Sequence, residues 1–110
     1  MKPTTCFEDT IAAISTPVGA GGIGVVKVSG DQAWAIGRQV FRGQGSLQKI
    51  QSHRLYYGHI VDPKTDRSVD EVLVSFMSAP TTYTREDTVE INCHSGLAVL
   101  SHILELVVRA

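Results

Sequence analysis

Cysteine is scarce in this sequence: only Cys6 and Cys93 occur, without the C-x-x-C spacing of a zinc site or a redox pair. That scarcity excludes a disulfide-stapled secreted scaffold. An excess of one charge sign is missing too. Ten basic residues stand against eleven acidic ones, for a net charge of -1, so the chain has no electrostatic footprint for wrapping a nucleic-acid backbone. No stretch approaches the roughly 18 apolar residues of a membrane span. The opening Met1-Lys2-Pro3-Thr4-Thr5-Cys6 lacks the apolar centre of a secretion signal. A cytoplasmic protein with no membrane partner is expected. Internal repeats, low-complexity tracts and long linkers are also absent.

What is present is ordinary globular material. With 110 residues, 43% hydrophobic and 19% charged, the chain is expected to form one domain over residues 1–110 with a single core. The first strand is expected at 9–15 and is closed by Thr16-Pro17 and a glycine-rich turn. A second strand at 23–29 is rich in β-branched residues, with Lys27 among the valines. Ser29-Gly30-Asp31 offers a helix N-cap. Beyond it Ala33, Ile36, Gly37 and Val40 recur at the spacing of one buried helical face, which ends near Phe41-Arg42-Gly43.

A polar loop over 43–52 leads to strands at 54–61 and 69–76, joined by a long turn through Asp62-Pro63-Lys64-Thr65-Asp66. Residues 88–93 alternate at period two and place Glu90 and Asn92 on one face. Ser95-Gly96 can cap a final helix whose apolar stripe is Leu97, Leu100, Ile103, Leu104 and Val107. The order is ββαβββα, an α+β domain with helices covering a sheet face. The last helix runs to Ala110 with no cap or polar tail. Its apolar excess at Leu106, Val107 and Val108 points either to a plain core helix or to burial against a further segment or subunit. The expectation is a binding and dimerisation module of a larger protein.

Four of the six residues from Gly19 to Gly24 are glycine: Gly19, Gly21, Gly22 and Gly24. They match G-x-G-x-x-G, but the dinucleotide fingerprint needs a helix to begin at the glycines, and here Val25-Val26-Lys27-Val28 continues as strand. The G-K-[ST] ending of a phosphate-binding loop is absent too. A loop whose backbone can approach a ligand or partner closely remains the functional reading, against a merely tight turn.

Among groups able to do chemistry, Cys93, His94, His53, His59 and His102 have Glu86, Asp87 and Glu90 as orienting carboxylates, without diagnostic spacing. Cys93-His94 would supply two adjacent metal ligands, but a buried cysteine near a strand end is the cheaper explanation. No catalytic or metal site is assigned. Glu90 stands apart, because a carboxylate within a β-branched strand must face a pocket or solvent. Its two acceptor oxygens match the paired N–H donors of a pterin or guanine edge, and Lys27 on the second strand suits an anionic part of the same ligand.

Several blocks in order carry a family resemblance. They are Asp9-Thr10-Ile11-Ala12-Ala13-Ile14, Thr16-Pro17 with the glycine loop, Ser29-Gly30, Tyr57-Gly58-His59-Ile60-Val61, Asp70-Glu71-Val72-Leu73, and the run from Tyr83 to Gly96. Together they resemble the N-terminal domain of the MnmE (TrmE) family of tRNA modification GTPases. The resemblance implies a folate-binding fold related to the glycine-cleavage T-protein, with a mixed sheet. It further implies a homodimer and 5-formyl- or methylene-tetrahydrofolate held by Lys27 and Glu90. In the whole protein it implies GTP hydrolysis with Mg and K in a separate G domain, and modification of the wobble uridine of tRNA together with the flavoprotein MnmG. The sequence departs from that pattern at Ala20, Lys27 and Ser95. Lys27 keeps the positive charge of the family's arginine without its forked geometry. The alternative is a purely structural dimerisation module; a third reading is a stand-alone nucleotide-binding enzyme.

Overall fold

The computed structural model describes residues 10–14, 23–43, 50–79, 86–94 and 96–110. Strands β1 (Ile11–Ile14) and β2 (Ile23–Ser29) are followed by helix α1 (Ala33–Val40). Then come β3 (Phe41–Gly43), β4 (Arg54–Val61), β5 (Ser68–Met77), β6 (Thr88–His94) and helix α2 (Leu97–Arg109). The six strands form one sheet in the order β1-β2-β6-β5-β4-β3. Every described pairing is antiparallel, which corrects the expected mixed sheet. The reason lies in the connections: α1 leads into β3 at the far edge, so neither helix links two adjacent parallel strands.

Strand β3 also corrects the expected ββαβββα order. Its three residues pair with β4, Gly58 lying opposite Gly43. A Cβ on Gly58 would sit 2.3 Å from the Arg42 carbonyl oxygen, so the absent side chain is what lets this edge strand close.

Alternation at period two splits the sheet into two faces. Val26 and Val28 of β2, Val89 and Ile91 of β6, Val74 and Phe76 of β5, and Ile60 of β4 are all essentially inaccessible. The register stacks them in rows, with Val26 opposite Ile91 and Ile91 opposite Val74. Both helices cover this side. Ala33, Gly37 and Val40 of α1 are buried as expected, with Ile36 packed against the core. On α2, Leu100, Ile103, Leu106 and Val107 are buried and Leu104 is half-buried, so most of the helix's apolar excess belongs to the core. Only Val108 stays largely exposed among them, at 68%. The side chain of Leu97 lies outside the described part.

The caps differ from expectation. Ser29 does not cap α1; its hydroxyl donates to Glu86 Oε1 at 3.0 Å. The N–H of Gln32 instead donates to Thr10 Oγ1 at 3.0 Å, so a residue beside β1 satisfies the helix start. Gly96 occupies the N-cap of α2 and brings no side-chain hydrogen bond. Trp34 pins α1 to the sheet by donating its indole N–H to the Met77 carbonyl at 3.1 Å, with its ring edge-on to Phe76.

Candidate functional site

The opposite face of the sheet has no helix on it among the described residues. On that face the register sets out three rows. Ala13, Lys27, Glu90, Ser75 and Leu55 form one, and Val25, Asn92, Leu73 and Tyr57 the next. In the third, Ile23 stands opposite His94 and Glu71 opposite His59. The two residues expected to hold a ligand are therefore direct cross-strand neighbours. Lys27 Nζ lies 3.2 Å from Glu90 Oε2, and both side chains are about a third exposed. Each is the other's counter-ion. At that exposure the pair contributes little to stability, on the order of 0–1 kcal/mol, so it is free to trade its partner for a ligand at low cost.

Two residues further along β6, Asn92 borders a hollow of about 280 Å³ lined also by Ile23, Tyr57, Glu71, Val72, Leu73, Cys93 and His94. Its polar groups are held in fixed orientations. Asn92 donates its amide N–H to the Leu73 carbonyl at 3.1 Å. The Tyr57 hydroxyl donates to Glu71 Oε2, and that bond, with the nearby negative charge, keeps the phenol's pKa above its ordinary 10.0. Asp70 accepts the His94 backbone N–H at 2.9 Å and meets His94 Nδ1 at 2.7 Å.

Cys93 points to the other side. It is buried, its Sγ lies 3.6 Å from the Gly24 carbonyl oxygen, and burial, helped by Asp70, pushes the thiol up to about 11. A thiol that keeps its proton is neither a nucleophile nor a metal ligand at neutral pH. Among the described residues no group of three His, Cys, Asp or Glu side chains stands together to hold a metal.

Larger hollows lie elsewhere. One of about 430 Å³ runs between β1, α1 and the end of α2, lined by Thr10, Gln32 and Gln39 with aliphatic side chains. Another, of about 680 Å³, lies between the β4–β5 turn and α2 and includes Asp62, Arg67 and His102. Neither brings together oriented polar groups of the kind that β5 and β6 assemble, so size alone does not locate the site.

The remaining sequence candidates scatter. His53 contacts Ser52 Oγ at 2.6 Å in a turn, and His59 packs edge-on to Tyr57. Asp87 ties the backbone of Ala79 at 2.8 Å, so with Glu86 it holds the strand entry. Gly24 lies within β2 on the helix-covered side, where a Cβ would come within 2.6 Å of Leu100. Gly19, Gly21 and Gly22 lie outside the described residues. Asp70 was not among the orienting carboxylates named from sequence. Nothing in a separation of 24 residues signals its bond to His94; only the β5–β6 pairing brings them together.

Residues 10–110 match the protein family described as GTP-binding protein TrmE N-terminus. The chain belongs to that family. It is 64% identical over 102 residues to the tRNA modification GTPase MnmE of Syntrophobacter fumaroxidans, covering 93% of this chain and 22% of that protein. Similarity to the protein of the same name from Lactiplantibacillus plantarum is 56% over 105 residues, or 96% of this chain and 22% of the relative. For the one from Enterococcus faecalis it is 53% over 110 residues, or 99% and 24%. The chain thus spans about a quarter or less of the length of these relatives. No helix among the described residues is long and apolar enough to cross a membrane.

Proposed function

We propose that this domain binds a tetrahydrofolate, in its 5-formyl or methylene form, on the open face of the sheet. We further propose that it pairs with a second copy of itself as the N-terminal part of a cytoplasmic tRNA modification GTPase. The observation that carries the folate reading is the Lys27–Glu90 pair, about a third exposed beside a hollow whose walls are acceptor-rich. A pterin edge presents several N–H donors, which suit carboxylate and amide oxygens. Lys27, once separated from Glu90, suits the negative charge of a folate tail. The relatives are named tRNA modification GTPases, and this supports the wider assignment. GTP hydrolysis with Mg and K, tRNA, and the flavoprotein partner MnmG then belong to the full-length protein. The kinship to the glycine-cleavage T-protein fold is part of the same reading.

Titrating the domain with 5-formyl-tetrahydrofolate by calorimetry tests it. Saturable binding is expected, and the absence of binding at millimolar ligand rejects it. A purely structural dimerisation module is the second reading. It is favoured by the exposed apolar side chains on the same face: Ile23 and Leu55 at 65% and 63%, Tyr57 and Leu73 at 44% each. Glu90→Ala separates the two, since only the folate reading expects the affinity to fall.

A further inference from the structure

The hold that Asp70 has on His94 leaves one nitrogen uncommitted at the hollow. Asp70 is mostly covered, its side chain 12% exposed, whereas the His94 side chain is 67% exposed. The carboxylate grips the histidine twice, at the backbone N–H (2.9 Å) and at Nδ1 (2.7 Å). An ionised carboxylate has acceptor lone pairs only, so Nδ1 must carry the proton in that contact. A neutral imidazole protonated at Nδ1 presents a bare lone pair at Nε2. The Nδ1 contact also sets the ring angle, so in the neutral form that lone pair is pre-aimed.

The neighbours narrow what it meets. The Tyr57 hydroxyl is committed to Glu71, and one amide N–H of Asn92 is committed to the Leu73 carbonyl. The polar wall therefore shows mainly acceptors: the second Glu71 oxygen, the Asn92 amide oxygen and His94 Nε2. Ile23 and Leu73 supply an apolar surface beside them. Such a wall suits a flat ring with N–H or O–H donors along its edge, and repels an edge made of carbonyls.

The geometry points to His94, held by Asp70, as the acceptor that receives a ring N–H or hydroxyl of the bound ligand. This inference rests on the folate-binding reading and assigns one contact within it. Asp70 is then a positioning residue. It fixes the tautomer and ring angle without touching the ligand.

Two substitutions separate this role from a merely structural staple. Asparagine at 94 places an amide N–H where Nδ1 stands, which keeps the bond to Asp70 but removes the acceptor at the Nε2 position. Glutamine carries its carbonyl oxygen out to the Nε2 position and gives up the Asp70 bond. With 5-formyl-tetrahydrofolate as probe, losing that hydrogen bond makes His94→Asn bind roughly tenfold more weakly, while His94→Gln stays within about threefold of the parent chain. The unsubstituted chain gives a second readout through the ¹⁵N shifts of the His94 imidazole. Nδ1 is expected to be protonated in the free protein, and the Nε2 resonance to move on saturation.

If the parent chain binds the folate but His94→Asn binds as tightly, or both variants lose affinity equally, the inference is overturned and the folate reading stands. An Nε2 resonance unmoved at saturation overturns it in the same way, even if neither variant folds. If the parent chain binds nothing at millimolar ligand, the folate reading falls, and this contact with it.

Discussion

The two faces of this sheet are built from the same strands and differ in almost everything else. On β6, Val89, Ile91 and Cys93 are sealed beneath the helices, while Glu90, Asn92 and His94 between them reach the open side. The covered face has been reduced to shape, with apolar side chains in stacked rows and glycines where the helices come closest. The open face keeps polar groups, most of them tied to a neighbour: Lys27 to Glu90, Tyr57 to Glu71, Asn92 to the β5 backbone and His94 to Asp70. A partly wet face with most of its polar groups already oriented would take the proposed ligand without a large reorganisation. The lesson is that a sealed apolar core and an open polar surface are separated here by one residue of register.

That separation can be broken at its strongest point first. Phe76 is fully buried and meets Trp34, Phe41 and Tyr56. Phe76→Ala is expected to cost about 3–5 kcal/mol in urea unfolding, through lost contacts and the cavity left behind. Leu73, three residues earlier on the open face, is expected to cost less than about 1 kcal/mol when cut to alanine. Equal losses at the two positions would mean that the open face is packed in solution.

The edge strand comes next. Gly58→Val drives a side chain into the Arg42 carbonyl and the Phe41 ring, so a loss of about 1–3 kcal/mol is expected, with the β3 amides losing hydrogen-exchange protection before the rest. Protection of Arg42 at the parent level would show that the strand can shift to make room.

On the open face the effects move from stability to binding. Glu90→Ala is expected to change the unfolding free energy by less than about 1 kcal/mol, because its ion pair with Lys27 is a third exposed. The same change is expected to weaken 5-formyl-tetrahydrofolate by roughly tenfold or more, as a charge-assisted hydrogen bond is lost. Leu73→Asp sharpens the comparison from the apolar side. In the proposed pair it is expected to shift sedimentation toward the monomer while leaving the fold intact, since a two-fold contact through this face would place the charge against its own copy.

The last effect is a pH dependence. Cys93 has its thiol raised from an ordinary 9.0 to about 11, first by burial and then by the Asp70 charge. The folded chain thus holds the proton where the unfolded chain has released it. The thiol's contribution is complete below pH 9 and is lost as the pH rises through about 11. Urea midpoints between pH 8 and pH 11 are expected to fall less steeply in Cys93→Ala than in the parent chain. Parallel declines would assign the alkaline loss to other groups, Tyr57 among them.

The strands at 23–29 and 88–94 were legible because alternation and β-branching are local signals, and so was the buried face of α1. Strand β3 was not. Three residues directly after a helix carry no period of their own, and their pairing depends on a glycine fifteen positions away in β4. The expected Ser29 cap failed for a related reason, since the group that satisfies α1 comes from Thr10, across the sheet edge. Lys27 and Glu90 were both singled out from residue type and strand context, yet their mutual ion pair was not.

What the sequence determined by itself was the inventory: an α+β class, both helices and five of the six described strands, a carboxylate and a lysine on β-branched strands, and a chain of blocks pointing to its family. Those properties follow from periodicities of a few residues and from side-chain chemistry. The tertiary structure decided the antiparallel order, the pairing of Lys27 with Glu90, the burial of Cys93 and the grip of Asp70 on His94. Each of these depends on which strands lie side by side and in what register. That is settled by burying one continuous apolar face under two helices, a condition on the whole chain that no short stretch of it can state.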